Sequence, residues 1–277
     1  MIAVISVVAT ITPGSDRYKK KNPVIEVAEI GKEFAKPLSQ VDQIGPELGK
    51  VLDGAGVKLP AIALPAKPEK KEDLKHAVQD FKGANFANLD LPKANFASSF
   101  VSGAQFNDAL LDASSLEGAT GAKVNFKGAR MAKSTLNAAM FVDSDFSGAE
   151  LREARARGGD FTNSMFIDAD LSFSSFAGAK LPGANFRAAY GAGASFVGAD
   201  MTAAHFEGAD MTGVRFGSAT LNRATFTGAN LKAAKFDGAK FYGADLSGAV
   251  NLTAEQLAKA CTSADTKLPE GITAPRC

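Results

Sequence analysis

The chain has no tryptophan and carries two histidines and two cysteines in 277 residues. That scarcity removes most reaction chemistries before any pattern is read. His76 and His205 each lack a second histidine at metal-ligand spacing, and Cys261 and Cys277, sixteen residues apart, do not make a zinc site. No Ser-His-Asp or Cys-His constellation is suggested. Glycine pairs such as Gly191 and Gly193 lack the strand-to-helix context of a phosphate loop. Net charge is missing too, with 31 Lys and Arg against 30 Asp and Glu. So is a long apolar run. Met1 to Thr12 is a short β-branched stretch ended by Pro13-Gly14, too short to span a membrane and without the three parts of a signal peptide. It reads as a buried strand. The expectation is no catalysis, no cofactor, no metal and no membrane span.

What the sequence does have is a period of five. Every fifth residue from Phe81 to Leu246 is, with few exceptions, large and apolar, without insertion or deletion. Two residues before each sits a small one, such as Ala84, Ala104 and Ala119, with Ser at 99, 114, 134, 144, 164 and 174, Gly159, and Val at 124 and 214. Leu89 is the one large exception at these sites. A helix of 3.6 residues per turn spreads such positions around its surface, and a strand alternates with period two. A coil that turns a corner every five residues satisfies the spacing. A longer period counts the corners. Every twentieth residue from Phe86 to Phe226 is Phe, whereas the column five residues on reads Leu91, Leu111, Met131, Leu151, Leu171, Gly191, Met211, Leu231. That segregation predicts a four-sided coil with like side chains stacked on successive turns.

The Ala-Asp/Asn-Leu/Phe-x-x pattern, as in Gly-Ala-Asp-Met-Thr, resembles the pentapeptide-repeat family over about residues 79–250. The resemblance implies a right-handed quadrilateral β-helix, an all-β solenoid of about eight coils and about 40 Å at the usual strand spacing. It also implies that the large and small positions point inward. The large position is vacant at Gly121, Ala156 and Gly191, each in a different column, and reduced at Val101. These read as repeat drift, with neighbouring side chains leaning in, rather than as a functional cavity.

Outside the repeat the chain divides into an N-terminal extension (1–57), a Pro-rich linker and cap (58–78), and a C-terminal helix and tail (251–277). Helical spacing runs from Ile25 to Lys36 and again through Val41 to Leu52; a short helix is expected over 69–79. Arg17 and Lys19 to Lys21 form a small basic cluster, read as a solvated turn. Caps are needed because open solenoid ends present unpaired strand edges. At the C-terminal end Thr253 and Gln256 make a capping box, with Leu252 and Leu257 as the staple. The helix is predicted from Ala254 to about Cys261. Cys261 and Cys277 are the candidates for a disulfide tying down the tail. The compartment expected is the cytoplasm, or a periplasmic or secreted location where that bond forms.

Function follows mostly by elimination. Several members of the family bind type II topoisomerases, some by imitating duplex DNA, so the resemblance admits a binder of DNA gyrase or topoisomerase IV that inhibits the enzyme or protects it from drugs. That mechanism needs a strongly negative rod, yet residues 81–250 hold 16 acidic and 16 basic residues. One outward column, Asp90, Glu150, Asp170 and Asp210, is interrupted by Arg130 and flanked by Arg152, Arg155 and Arg157. That arginine cluster lacks interleaved aromatics for stacking bases and argues against direct nucleic-acid binding. The reading preferred is a non-enzymatic scaffold that binds an unidentified protein partner through its faces. Met140, Val142, Met165, Ile167, Phe173 and Tyr190 occupy outward positions that should be polar, on three adjacent faces near the middle turns, and form the candidate patch. Phe100 and Leu110 are similar outliers nearer the N-terminal end. The family's abundance in bacteria implies a bacterial origin, and a role as an adaptor of a bacterial secretion system is a further alternative.

Overall fold

Every pentad turns its corner by the same device. The N–H of nearly every small residue donates to the carbonyl of the large residue three positions earlier, as from Ala84 to Phe81 and from Ala229 to Phe226, both at 2.9 Å, whereas Val124 and Ser144 donate to Ser144 Oγ and Ser164 Oγ of the next coil. The residue just before the small one has a positive φ in every pentad from Gly83 to Gly243. These are the marks of a type II turn. Pro92 and Pro182 sit at its second position, where their fixed φ fits. The computed structural model describes residues 10–12, 24–26 and 79–277.

Between corners, over residues 80–250, the backbone forms single parallel bridges to the residue twenty positions on. One ladder runs Asp80, Phe100, Thr120, Met140 and defines the first face. The second begins at Asn85, the third at Asp90 and the fourth at Asn95. The large residues donate their N–H to the coil above, as Phe106 to Asn125 at 2.7 Å. Each bridging residue donates to the coil below, as Gln105 to Ala84 at 2.9 Å. Backbone pairing is therefore continuous up all four faces, and the chain is a four-sided coil.

The core is a set of columns. The eight rings from Phe86 to Phe226 stack at 4.7 to 5.1 Å with interplanar angles of 5 to 14°. That separation is the strand spacing itself. A second stack, Phe176, Phe196, Phe216 and Phe236, stands opposite at 5.4 to 5.6 Å. The two columns meet edge to face, as Phe186 does Phe196 at 74°. The small positions bring the backbone close to these rings and are fully buried. Ser164 is accommodated by donating to the Phe141 carbonyl at 2.6 Å. Ser114, Ser134 and Ser174, all of one column, bury hydroxyls with no partner among the described residues.

Two vacancies are filled from neighbours. A Cβ placed on Gly121 would lie 2.8 Å from Val124 Cγ2 and 2.9 Å from the Val101 and Ser102 backbone. The enlarged small residue Val124 thus occupies the room that Gly121 leaves. On Gly191 the same Cβ would lie 2.5 Å from Met211 Sδ, because that flexible side chain reaches down its own column. Phe161 leans similarly over Gly159, with 2.6 Å from such a Cβ to its ring.

At the C-terminal end the ladder is interrupted by helix α1 (Ala254–Leu257). Thr253 Oγ1 accepts the Gln256 N–H at 3.4 Å, and Gln256 Oε1 accepts the Thr253 N–H at 2.9 Å. The Gln256 amide also donates to the carbonyls of Leu231 and Ala234, both at 2.8 Å. Leu252, Leu257 and Ala260 are buried against the core. The helix is shorter than the sequence predicts, ending at Leu257 rather than near Cys261. Its next carbonyls are claimed by the solenoid: Gly238 donates to Lys259 and Phe241 to Cys261, each at 2.8 Å. Cys261 and Lys267 then bridge to Lys240 and Asp245, so the chain rejoins the first and second faces. The tail folds back, with Arg276 bridging to Thr262, and a disulfide joins Cys261 to Cys277 across a Cα–Cα distance of 5.5 Å.

Near the N-terminus β1 (Thr10–Thr12) and β2 (Val24–Glu26) pair antiparallel, with Ile11 opposite Ile25. A helix was expected to start at Ile25. The β-branched pair Val24-Ile25, following Pro23, favours extended backbone, and a pairing partner fourteen residues upstream decides between the two. The helical stretches expected over 27–36 and 41–52, the linker over 58–68, the cluster of Arg17 and Lys19 to Lys21, and His76 lie outside the described residues. Of the helix expected over 69–79 only Gln79 is described, and its carbonyl accepts the Phe100 N–H at 2.8 Å.

Candidate protein-binding surface

The turn geometry dictates which side chains can reach solvent. In each pentad the bridging residue and the two corner residues face outward, and an apolar side chain there has no core to join. Met140 (51% exposed), Met165 (38%), Phe173 (65%) and Tyr190 (56%) are such residues. Val142 and Ile167 are half-buried at corners. Met140 belongs to the first face and lies two coils from Phe100 (44% exposed), with Thr120 between them. Val142 follows at the corner between the first and second faces. Met165 lies on the second face between Asp145 and Asn185, and Ile167 turns the next corner. Tyr190 lies on the third face between Asp170 and Asp210. Phe173 holds the corner between the third and fourth faces. The six residues therefore wrap around the rod, rising from the coil of Met140 to that of Tyr190, and do not make one flat plate. Leu110 is half-buried on the third face.

Phe173 stands apart from the rest. Its φ is +59°, and it is the sole aromatic residue among the left-handed corner positions, which otherwise hold glycine, alanine or polar side chains. Left-handed backbone is unfavourable for a bulky side chain. The ring is seated on Gly193 of the next coil, where a Cβ would come within 2.9 Å of it. The sequence marks Phe173 as an outlier in polarity; the strain and its glycine seat emerge from stacking the coils.

Two acids of the outward column, Glu150 and Asp170, are paired on the spot. Arg130 pairs with Asp112 at 2.8 Å and reaches Glu150 at 3.7 Å, and Arg152 pairs with Asp170 at 3.1 Å. Partial burial opposes ionisation of Asp170, but hydrogen bonds from Ser172 and Arg152 outweigh it and hold the carboxyl below its ordinary value. Asp90 is raised by burial, with Arg130 opposing and Asp112 reinforcing the shift. Such inter-coil pairs leave little of the continuous negative potential that a duplex imitation requires.

His205 is exposed on the second face, its Nδ1 3.3 Å from Glu207 Oε1 and 3.2 Å from Thr225 Oγ1. Thr225 donates to the same Glu207 oxygen at 2.6 Å. Among the described residues no group of three His, Cys, Asp or Glu side chains is arranged to hold a metal ion. No helix there is long and apolar enough to cross a membrane.

The family model for pentapeptide repeats matches residues 102–137, 144–179, 169–208 and 209–248, in eight copies. The chain belongs to the pentapeptide-repeat family. Its fold is accordingly the right-handed quadrilateral β-helix of that family, and no catalytic family is indicated. Solved structures similar to this pentapeptide-repeat protein include HetL from the cyanobacterium Nostoc sp. strain PCC 7120, described as involved in heterocyst differentiation regulation. It is 23% identical, with 73% of this chain and 90% of that one covered and a TM-score of 0.31. QnrB1, described as a plasmid-mediated fluoroquinolone resistance protein, is 17% identical, with 70% and 91% covered and a TM-score of 0.44. A thylakoid lumen protein of Arabidopsis thaliana is 22% identical over 46% of this chain and 68% of that one, with a TM-score of 0.16. No curated protein matches the chain.

Proposed function

We propose that this pentapeptide-repeat protein is a non-enzymatic scaffold that binds another protein through the middle coils of its solenoid. The observation that carries the reading is the band of outward apolar side chains, Met140, Val142, Met165, Ile167, Phe173 and Tyr190, on a repeat whose outward positions are otherwise mainly polar, small or charged. Large aromatic and methionine side chains at the centre of a surface are the usual anchors of an interface. Phe173, kept exposed at a cost in backbone strain, fits that role.

The body of the scaffold is a solenoid of about eight coils over 79–250, and α1 with the tail forms its C-terminal cap. Gln256 supports this reading because its amide takes two carbonyls of the last full coil that no further coil would meet. The Cys261–Cys277 disulfide supports a periplasmic or secreted location over the cytoplasm, since such bonds persist in oxidising compartments.

The test is an affinity pull-down of the tagged protein from its host's lysate, read by quantitative mass spectrometry beside a Met165→Glu, Ile167→Lys variant. Both substitutions lie outside the core, so circular dichroism and thermal unfolding should match the parent. Enrichment of the partner should be lost. A variant that captures the same protein at the same level clears this patch of a role.

A further inference from the structure

The fourth face differs in charge from the other three. Its bridging residues, from Asn95 to Lys235, include no acidic side chain and no large apolar one. Arg155, Arg215 and Lys235 are exposed there, and none of the three has an ion pair or side-chain hydrogen bond among the described residues. The positions between are hydroxyls: Thr135 below Arg155, then Ser175 and Ser195 between Arg155 and Arg215. Arg157, a corner residue, is drawn over this face by donating its Nε–H to Ser175 Oγ at 3.2 Å. Two guanidiniums and a hydroxyl are thus gathered at one level with no carboxylate answering them. The third face, by contrast, sets Arg130 against Glu150 and Arg152 against Asp170.

We propose that the fourth face docks an extended acidic polypeptide segment. Guanidinium forks and hydroxyl donors suit carboxylates, which accept two hydrogen bonds side by side. The spacing sharpens the match. Arg155 and Arg215 are three coils apart, or about 14 Å at the strand spacing. In an extended chain, residues four apart lie on one side and are separated by about 13 Å. The segment therefore carries acids at i and i+4, the first between Arg155 and Arg157 and the second between Arg215 and Lys235. Nucleic acid fits the face less well, since the column of eight bridging residues offers no aromatic platform for bases and only three cations, against the six to ten phosphate contacts typical of duplex binders. This inference rests on the reading of the protein as a protein-binding scaffold, but it uses a surface separate from Met165 and Ile167.

The experiment is a fluorescence-anisotropy titration of the full chain with a labelled alternating Glu-Gly peptide of about twelve residues, long enough to span the face when extended. Binding should weaken as salt rises. The Arg155→Glu, Arg215→Glu variant should lose about tenfold or more in affinity with unchanged thermal unfolding, while Met165→Glu, Ile167→Lys should bind like the parent. Absence of binding by the parent, or equal binding by the arginine variant, overturns the proposal. So does tighter binding of an oligo-dT of matched charge or of phosphatidylserine vesicles. Self-association of the parent, measured by sedimentation and abolished in the arginine variant, would assign the face to a second copy instead. Absence of peptide binding by the parent, with capture through Met165 and Ile167 retained, would reject this surface alone and leave the scaffold reading standing.

Discussion

The Phe86 to Phe226 column and the Leu91 to Leu231 column beside it run through the same coils and fill the same cross-section by different means. In the first, one residue type repeats and each ring lies flat on the next at the strand spacing. In the second, side-chain size varies from Gly191 to Met211, and space is shared between coils through the bending of a thioether. A stack of rings leaves each member no alternative packing, so a missing ring becomes a hole. A column of leucine and methionine can redistribute volume. The contrast accounts for where the repeat drifts, since the vacancies lie outside the all-Phe column.

The strongest way to break that comparison is to delete a ring from the rigid column. Phe146→Ala removes a fully buried side chain held between Phe126 and Phe166 and should cost about 3–5 kcal/mol in denaturant unfolding. A loss below about 1 kcal/mol would show that the rings are not individually committed to the core. Next come the two glycines that stand where a large residue is due. At Gly121 a Cβ would meet the Val101 and Ser102 backbone, so Gly121→Ala should cost about 1–3 kcal/mol through overpacking. At Gly191 it would meet only Met211 Sδ and Cε, which can swing away, so Gly191→Ala should cost less than Gly121→Ala in the same assay. The reverse order would remove the explanation by flexible filling.

The smallest effect is expected at the small positions, where the same residue type has two fates. Ser134 buries an unpartnered hydroxyl, and Ser134→Ala should stabilise by about 1 kcal/mol by deleting a desolvated group. Ser164→Ala should destabilise by about 1 kcal/mol or more, because Ser164 donates to Phe141 and accepts from Ser144. Equal shifts in melting temperature for the two variants would mean that Ser134 has found a partner such as a bound water.

The periods of five and twenty made the corners, the four ladders and the identity of the stacked rings legible, because each is set by the local turn and by like residues meeting across one coil. Thr253 and Gln256 were readable as a reciprocal pair for the same local reason. The length of α1 was not, since it ends where Lys259 and Cys261 return to solenoid partners twenty or more residues away in sequence. The strand at Val24–Glu26 was misread as helix because helical spacing within a window says nothing about an extended partner elsewhere. Of the surface, the outward apolar residues were visible as breaks in polarity. The cations of the fourth face were not, because Arg152, Arg155 and Arg157 are neighbours along the chain whereas Arg155, Arg215 and Lys235 share a ladder only once the coils are stacked.

By itself the sequence determined the handful of dihedral choices that every pentad repeats, and with them the identity of the side chains that turn inward. A positive-φ corner every five residues leaves the chain little freedom to coil differently. Only the tertiary structure decided what each coil does for its neighbours: that Met211 fills the space at Gly191, that Gly193 seats the ring of Phe173, and that Arg130 and Arg152 answer Glu150 and Asp170 of one face while Arg155 and Arg215 on the next have no ion pair among the described residues. Those outcomes depend on contacts between residues about twenty positions apart, whose geometry exists only once the coils are stacked.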